Sequence, residues 1–204
     1  MGQYDFTTRP NRLNQFTYKW QASENDPDLL QLWVADMDFF PVPTIKEAII
    51  NYGQEHIFGY NYAKDSLYQS VIYWEKKEHS YAISKEDIAF IDGVVPAISV
   101  AIQAFTQKGD AVLINSPVYY PFARTVRLND RKLVENSLLI RNGHFEIDFE
   151  QLEKDIEDNE VKLYIFCSPH NPGGRVWSKV ELQKIGEHCA KDRVILIFDD
   201  IDQD

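Results

Sequence analysis

The alternation of apolar runs with helical patterns is the feature that most constrains the fold of this chain. Runs of strand length occur at AVLINSP, KLVENSLLI, KLYIFCSP and RVILIFDD, and helical patterns lie between them near residues 119–128, 149–157 and 178–191. Strands that alternate with helices form parallel sheets through right-handed crossovers. We therefore predict an α/β fold, with a mostly parallel sheet covered by helices on both faces.

The residues before these runs divide into two parts. DIAFID reads as a short strand closed by Gly93, and PAISVAIQAF reads as a helix because Pro96 suits a first helical turn. The earlier segment LWVADMDFFPVP lacks this alternation. We therefore predict an N-terminal segment at residues 1–45 that belongs to a smaller domain, and a sheet domain at residues 46–204.

Composition disfavours several classes of partner. The formal net charge of −11 argues against binding to a nucleic-acid backbone or an anionic membrane surface. No stretch approaches the roughly 20 apolar residues that a membrane span needs, and the first residues carry no apolar signal segment. We expect a cytoplasmic protein. Cys167 and Cys189 lack metal-ligand spacing, so we predict that both are reduced core residues.

Groups suited to one ligand follow four of the predicted strands, at the edge where parallel sheets bind ligands. Gly93 opens a helix whose free N–H groups suit a phosphate, and Tyr119 offers a ring for a flat ligand. Asn171 is a neutral hydrogen-bonding group, and Asp199 is a carboxylate that needs a cation or strong donors if it is buried. The four positions describe a planar ligand with a phosphate, an oxygen and a protonated nitrogen.

Each position also has a plainer explanation. The Gly93 loop suits an ordinary strand-to-helix turn, and Tyr119 suits core packing. The NPGG segment is a turn sequence, followed by the helix-capping pair Ser178 and Glu181. Asp199 and its neighbour suit a helix cap or a metal pair, although no histidine lies close by in the sequence. We predict no metal site, because the four positions agree on an organic ligand.

Several segments together resemble one group of enzymes. YDFTTRPNRLNQFTYKW, VADMDF, FGY, GVVPAIS, SPVYYPF, CSPHNPGGRVW and DDIDQD are similar to cystathionine β-lyase-like carbon–sulfur lyases of the MalY/PatB type. These lyases belong to the aminotransferase class I/II group of fold-type I pyridoxal-phosphate enzymes. NPGGRVW and VADMDF favour the lyase branch, because true aminotransferases share the plain Asn-Pro-x-Gly turn.

The resemblance implies how the sheet domain would hold its cofactor, pyridoxal 5′-phosphate. The backbone around Val95, Pro96 and Ala97 would bind the phosphate. The ring of Tyr119 would stack on the pyridine ring. Residues 46–204 would then be part of the large, cofactor-binding domain of such an enzyme.

The resemblance also implies roles for five further residues. Asn171 would bond the phenolic oxygen of the cofactor, and Asp199, the catalytic residue, would pair with the ring nitrogen. Tyr60 would reach the cofactor of a second subunit, which implies a homodimer with shared sites. Ala35 and Asp36 would line the substrate side.

The sequence departs from the pattern of these enzymes at one end. Asp202 stands where they commonly have histidine, which puts a second carboxylate near the site. The lysine that carries the cofactor is expected in a Ser-x-Ser-Lys motif on a later strand, with an arginine for the substrate carboxylate, and neither has a counterpart here. Lys179 and Lys184 lie in a surface-like helical pattern. We therefore expect an N-terminal portion of an enzyme that is inactive by itself.

The implied activity is a carbon–sulfur β-lyase that converts cystathionine or a cysteine-type amino acid to pyruvate, ammonia and a thiol. Two alternatives stay open at this point. An aminotransferase on the same scaffold would share every residue named above. A non-catalytic binding or interaction module would keep the phosphate-binding helix and the dimer surface.

Overall fold

A computed structural model describes residues 4–203 of the chain. The chain forms two compact units, Met1–Trp74 and Glu75–Asp204. The domain boundary near residue 45 stays a prediction. Among residues 4–203, no helix has the length and apolar character required to span a bilayer.

The first unit is mostly irregular. It contains two short 3₁₀ turns, Tyr18–Trp20 and Ala22–Glu24, and the helix α1, Pro43–Glu55. Helix α2, Asp65–Glu78, begins in this unit and ends in the next one.

A partly buried charge cluster organises the start of the first unit. Asp38 accepts hydrogen bonds from Arg12 at 2.7 Å, from Lys19 at 2.9 Å and from the Trp20 indole at 3.0 Å. The hydrogen bond from Lys19 is the largest cause that lowers the pKa of Asp38 to about 2. Arg12 also pairs with Asp36. The cluster therefore joins the RPNRLNQFTYKW segment to the VADMDF segment.

The second unit alternates helices with strands. Its elements are a 3₁₀ turn at Lys85–Asp87, helices α3 Val94–Phe105, α4 Pro121–Leu128, α5 Phe149–Asp158 and α6 Lys179–Asp192, and strands β1 Ala111–Ser116, β2 Lys132–Ser137, β3 Leu139–Arg141, β4 His144–Glu146, β5 Leu163–Cys167 and β6 Ile195–Asp199. The main sheet has the order β2-β1-β5-β6 and all its pairs are parallel. The predicted parallel α/β sheet is confirmed.

Alternation along the strands sends side chains to two separate cores. Leu113 and Tyr164 lie in the cluster that packs on α5 and α6. Ile114 and Ile165 lie in the cluster that packs on α3 and α4. The sheet is therefore covered by helices on both faces, as predicted, and Cys167 shares the α3 side with Ile165.

Two strand predictions were wrong. The DIAFID segment forms no strand: Phe90 and Ile91 are exposed, and no strand among residues 4–203 forms a ladder with them. An apolar run becomes a strand only where a neighbour satisfies its backbone groups. KLVENSLLI is divided between β2 and β3, because β3 turns away to pair with β4. Asn142 and Gly143 form the two-residue turn, both with positive φ, as a tight hairpin requires.

Both cysteines are free and buried, as predicted. The predicted capping pair is also confirmed, since the Ser178 hydroxyl accepts from the Glu181 N–H and the Glu181 side chain accepts from the Ser178 N–H.

The loop after β5, residues 168–177, is fixed by its own side chains. Arg175 donates to Glu181 at 2.6 Å and lies over the Trp177 ring at 4.0 Å from its centre. The Trp177 indole donates to the Cys167 carbonyl at 2.9 Å. Gly174 has a φ of 61°, a value that favours glycine. These contacts join the end of β5 to the start of α6.

Gly173 lets the same loop close over a buried histidine. Its N–H donates to His170 Nδ1 at 3.2 Å. A Cβ atom at this position would lie 2.3 Å from His170 Nδ1 and 2.8 Å from the Phe145 ring. Burial lowers the pKa of His170, which favours the neutral ring that accepts this bond. The close approach requires glycine here.

We predict that Gly173→Ala lowers the melting temperature of the chain, because the added methyl group displaces His170 from the loop. The matched control is Gly186→Ala in α6, where a Cβ meets nothing within 4 Å. That control should be neutral or stabilise by up to about 1 kcal/mol, since alanine favours helices. Thermal unfolding by circular dichroism measures both variants. Equal stability of the Gly173→Ala variant and the wild type would contradict this account of the loop.

Candidate functional site

The carboxyl ends of β1, β5 and β6 meet at one edge of the main sheet. The parallel register of β5 and β6 places Cys167 opposite Asp199. The Ser168 N–H donates to the Asp199 carbonyl at 3.0 Å, which extends the pairing into the loop after β5. The loop that carries Asn171 therefore starts beside Asp199, the last residue of β6.

Asp199 is a buried carboxylate with an unused oxygen. The residue is 7% exposed, and its Oδ1 atom has no hydrogen-bond partner within residues 4–203. Burial raises the pKa of Asp199, and the negative charges of Asp202 and Asp200 raise it further. The Ile201 N–H and the Cys167 thiol act in the opposite direction and offset this only in part. A buried carboxylate in this state is suited to a cationic N–H donor.

The start of α3 borders the same space as Asp199. An open cleft of 340 Å³ is lined by Val94, Ala97, Asp199 and residues that surround them. Gly93 precedes the helix with a φ of 106°, in the region that glycine tolerates. The predicted sequence positions at this helix and at the end of β6 therefore meet at one cleft.

The free amides of α3 differ from the sequence prediction in one respect. The Ala97 N–H donates to the Gly93 carbonyl at 3.1 Å within the helix, and Pro96 has no N–H to offer. The structure gives no partner, among the residues it describes, to the N–H groups of Val94 and Val95. Available donors for an anion are thus those of Val95, which the sequence analysis named, and Val94, which it missed.

Tyr119 lies in the loop between β1 and α4. Its ring packs edge-on against Phe122 with the centres 5.8 Å apart. It is only partly buried and rests on the α3-side core, as Val94 and Ile197 do. Core packing therefore accounts for the buried part of the Tyr119 ring.

Asn171 is joined to Asp199 through a sulfur atom. The Asn171 N–H donates to Cys167 Sγ at 3.4 Å, and the same sulfur lies 3.8 Å from Asp199 Oδ2. The Asn171 side chain is exposed, and the residue lines a second open cleft, of 360 Å³, together with Asp202. The structure thus brings Asn171 and Asp199 to the same side of the sheet.

Three predicted residues lie in the first unit. Ala35 and Asp36 are exposed, and the Asp36 carboxylate is paired with Arg12. Tyr60 is fully exposed. The roles of these residues stay predictions.

The sequence analysis missed Cys167 as a neighbour of the site. It was recognised only as a core residue. Two signals point to it: alternation within β5 puts it on the α3 side, and the parallel register puts it beside Asp199. The described part of the chain, residues 4–203, holds no group of three or more His, Cys, Asp or Glu arranged to bind a metal ion.

Almost the whole length of the chain is similar to known enzymes. It is 40% identical over 203 residues to cystathionine beta-lyase PatB of Bacillus subtilis, a match that covers 98% of this chain and 52% of PatB. Among solved structures, cystalysin of Treponema denticola, which contains a pyridoxal 5′-phosphate cofactor, has a TM-score of 0.89 and 40% identity over 97% of this chain and 52% of cystalysin.

A third similar protein is a pyridoxal-phosphate-bound C-S lyase from Staphylococcus hominis. Its TM-score is 0.87 at 32% identity, over 96% of this chain and 50% of the lyase. The chain therefore spans about half the length of these relatives. The family model for aminotransferase class I and II matches residues 27–204. This match covers most of the chain, which belongs to the aminotransferase class I and II family.

Proposed function

We propose that this chain binds pyridoxal 5′-phosphate and serves a carbon–sulfur β-lyase acting on cystathionine or a cysteine-type amino acid. The observation that carries the proposal is the buried Oδ1 atom of Asp199, which has no partner among the described residues. The named relatives support the substrate class, since they include a cystathionine beta-lyase and a C-S lyase. The cofactor would supply a protonated pyridine ring that withdraws electrons from the bound amino acid.

Asp199 would hold the proton on the cofactor's ring nitrogen. Without a partner, burial makes its charged form costly and raises its pKa. A cationic N–H at Oδ1 would favour the charged form, so the carboxylate and the ring cation would stabilise each other. The Asp202 charge opposes ionisation of Asp199 in the free chain and would add to the negative potential at the cation.

Other groups at this edge would orient the cofactor. The exposed amide of Asn171 would donate to the phenolic oxygen, and the ring of Tyr119 would stack on the pyridine. The N–H groups of Val94 and Val95, at the positive end of α3, would bind the phosphate. Pro96 lacks an N–H group, so it would border the phosphate without donating a hydrogen bond.

The first unit would supply the subunit contact and the substrate side. We propose a homodimer in which Tyr60 reaches the cofactor of the second subunit. Exposed apolar side chains near it support a covered surface, among them Ile49, Ile57 and Phe58. Ala35 and Asp36, in the proposed N-terminal segment of residues 1–45, would face the substrate. A cytoplasmic location stays a prediction.

The aminotransferase alternative is distinguished by its products. A lyase releases pyruvate and ammonia from one amino acid, whereas an aminotransferase needs a second oxo acid. A non-catalytic module would bind the cofactor and release no product. No lysine lines the two clefts at Asp199 and Asn171 in the described part of the chain.

We predict that Asp199→Asn removes the preference of the chain for a ring nitrogen. Wild type should bind pyridoxal phosphate roughly 10- to 100-fold more tightly than its 1-deaza analogue, in which C–H replaces the nitrogen, because a charge-assisted hydrogen bond is lost. In Asp199→Asn this ratio should fall close to one. Fluorescence titration with the two ligands measures it.

The matched control for this test is Asp158→Asn, which removes an equal charge from an exposed residue at the end of α5, outside the cleft at Asp199. This variant should keep the wild-type ratio. A wild-type ratio in Asp199→Asn would show that Asp199 does not contact the ring nitrogen.

We also predict that the 204-residue chain binds the cofactor reversibly and releases no pyruvate. The physical reason is that the clefts at Asp199 and Asn171, within residues 4–203, hold no lysine to bond the cofactor. The chain is incubated with pyridoxal phosphate and cystathionine or cysteine, and then treated with borohydride. Mass spectrometry locates any fixed cofactor, and a coupled assay measures pyruvate. A stoichiometric adduct on one lysine together with pyruvate release would contradict the prediction.

A further inference from the structure

Cys167 lies between Asn171 and Asp199, the two residues that would form hydrogen bonds with substituents or atoms of the cofactor ring. The residue is buried, and its sulfur makes three polar contacts. Cys167 Sγ lies 3.2 Å from the Pro169 carbonyl, 3.4 Å from the Asn171 N–H nitrogen and 3.8 Å from Asp199 Oδ2. A single side chain therefore contacts both Asn171 and Asp199.

The chemistry of the thiol determines which atom donates and which accepts in these contacts. A thiol has one proton, which it can donate either to the Pro169 carbonyl at 3.2 Å or to Asp199 Oδ2 at 3.8 Å. The sulfur lone pairs then accept from the Asn171 N–H. Burial is the main cause that raises the pKa of Cys167 to about 11, so the group stays a neutral thiol near pH 7. A neutral thiol fills the Oδ2 side of Asp199 without adding a charge.

We propose that Cys167 is a positioning residue that aligns Asn171 and Asp199 for the cofactor ring. The inference rests on the proposed function. The thiol holds the backbone of Asn171 at the end of β5, and its contact with Oδ2 limits rotation of the Asp199 carboxylate. Cys167 would thereby link the contact of Asn171 with the phenolic oxygen to the contact of Asp199 with the ring nitrogen.

This role is selective for two of the three proposed hydrogen-bonding contacts with the cofactor. Asn171 and Asp199 touch the sulfur directly. The N–H groups of Val94 and Val95 belong to α3, which has no hydrogen bond to Cys167 among the described residues. Loss of the thiol should therefore weaken recognition of the ring nitrogen and of the phenolic oxygen, while recognition of the phosphate stays unchanged.

The test compares ligand ratios in the whole 204-residue chain. Four probes are titrated: pyridoxal phosphate, its 1-deaza analogue, its 3-deoxy analogue without the phenolic oxygen, and pyridoxal without the phosphate. In Cys167→Ala, the preferences for the ring nitrogen and the phenolic oxygen should each fall roughly two- to tenfold, the range expected for a lost hydrogen bond. The preference for the phosphate should not change.

Two further variants separate positioning from general stability. Cys167→Ser should restore both ring preferences in part, because a hydroxyl also accepts from an N–H and donates to a carbonyl. Cys189→Ala removes the other buried free thiol, which lies in the core on the α6 side. This control should lower the melting temperature without changing any of the three preferences.

The outcomes distinguish the two proposals. If wild type shows no preference for the ring nitrogen or the phenolic oxygen, the proposed function and the role of Cys167 both fail. If wild type shows these preferences and Cys167→Ala keeps them, only the positioning role is overturned. An equal fall of all three preferences, including that for the phosphate, would also overturn it, because the thiol would then support the fold in general.

Discussion

The burial of the Asp199 carboxylate is the constraint on which the site depends. A buried carboxylate oxygen without a hydrogen-bond partner is costly, and burial accordingly raises the pKa of Asp199. The parallel ladder between β5 and β6 nevertheless fixes it there, opposite Cys167. The cost is removed when the carboxyl group takes up a proton or when a donor reaches Oδ1. The Asp199 carboxylate therefore has an oxygen that could bind a cationic ring nitrogen.

The segments that resemble carbon–sulfur lyases act mainly as supports. In NPGGRVW, Asn171 lines the cleft beside Asp202, whereas Gly173, Arg175 and Trp177 close the loop and join it to β5 and α6. In VADMDF, Asp38 is held by charged partners from an earlier segment. These motifs therefore define loop geometry more directly than they define the reaction. That is the physical reason why they do not by themselves separate a lyase from an aminotransferase.

Much of the second unit could be predicted, because short stretches of sequence determine its strands and the starts of its helices. Apolar runs such as AVLIN become buried strands, and Ser178 with Glu181 marks a helix start. The DIAFID segment shows the limit, since a strand also needs a neighbouring strand and the segment is not assigned to any ladder among residues 4–203. The hairpin of β3 and β4 was missed, although Asn142 and Gly143 are a strong turn signal.

The site, like the fold, could be predicted only in part. Parallel strands end at one edge, so the sequence placed Asn171 and Asp199 together. Sequence could not tell which amides α3 leaves free, because that depends on where the helix begins; the Ala97 N–H is already used. It also could not reveal Cys167 as a shared contact, because that depends on the register of β5 against β6.

The central claim is that Asp199 holds a proton on the cofactor's ring nitrogen. It is tested most directly by ¹⁵N NMR of the chain bound to pyridoxal phosphate labelled at that nitrogen. The account predicts the chemical shift of a protonated pyridine that persists to higher pH than in the free cofactor, and that is lost in Asp199→Asn. A ring nitrogen that titrates as it does in water would contradict the account.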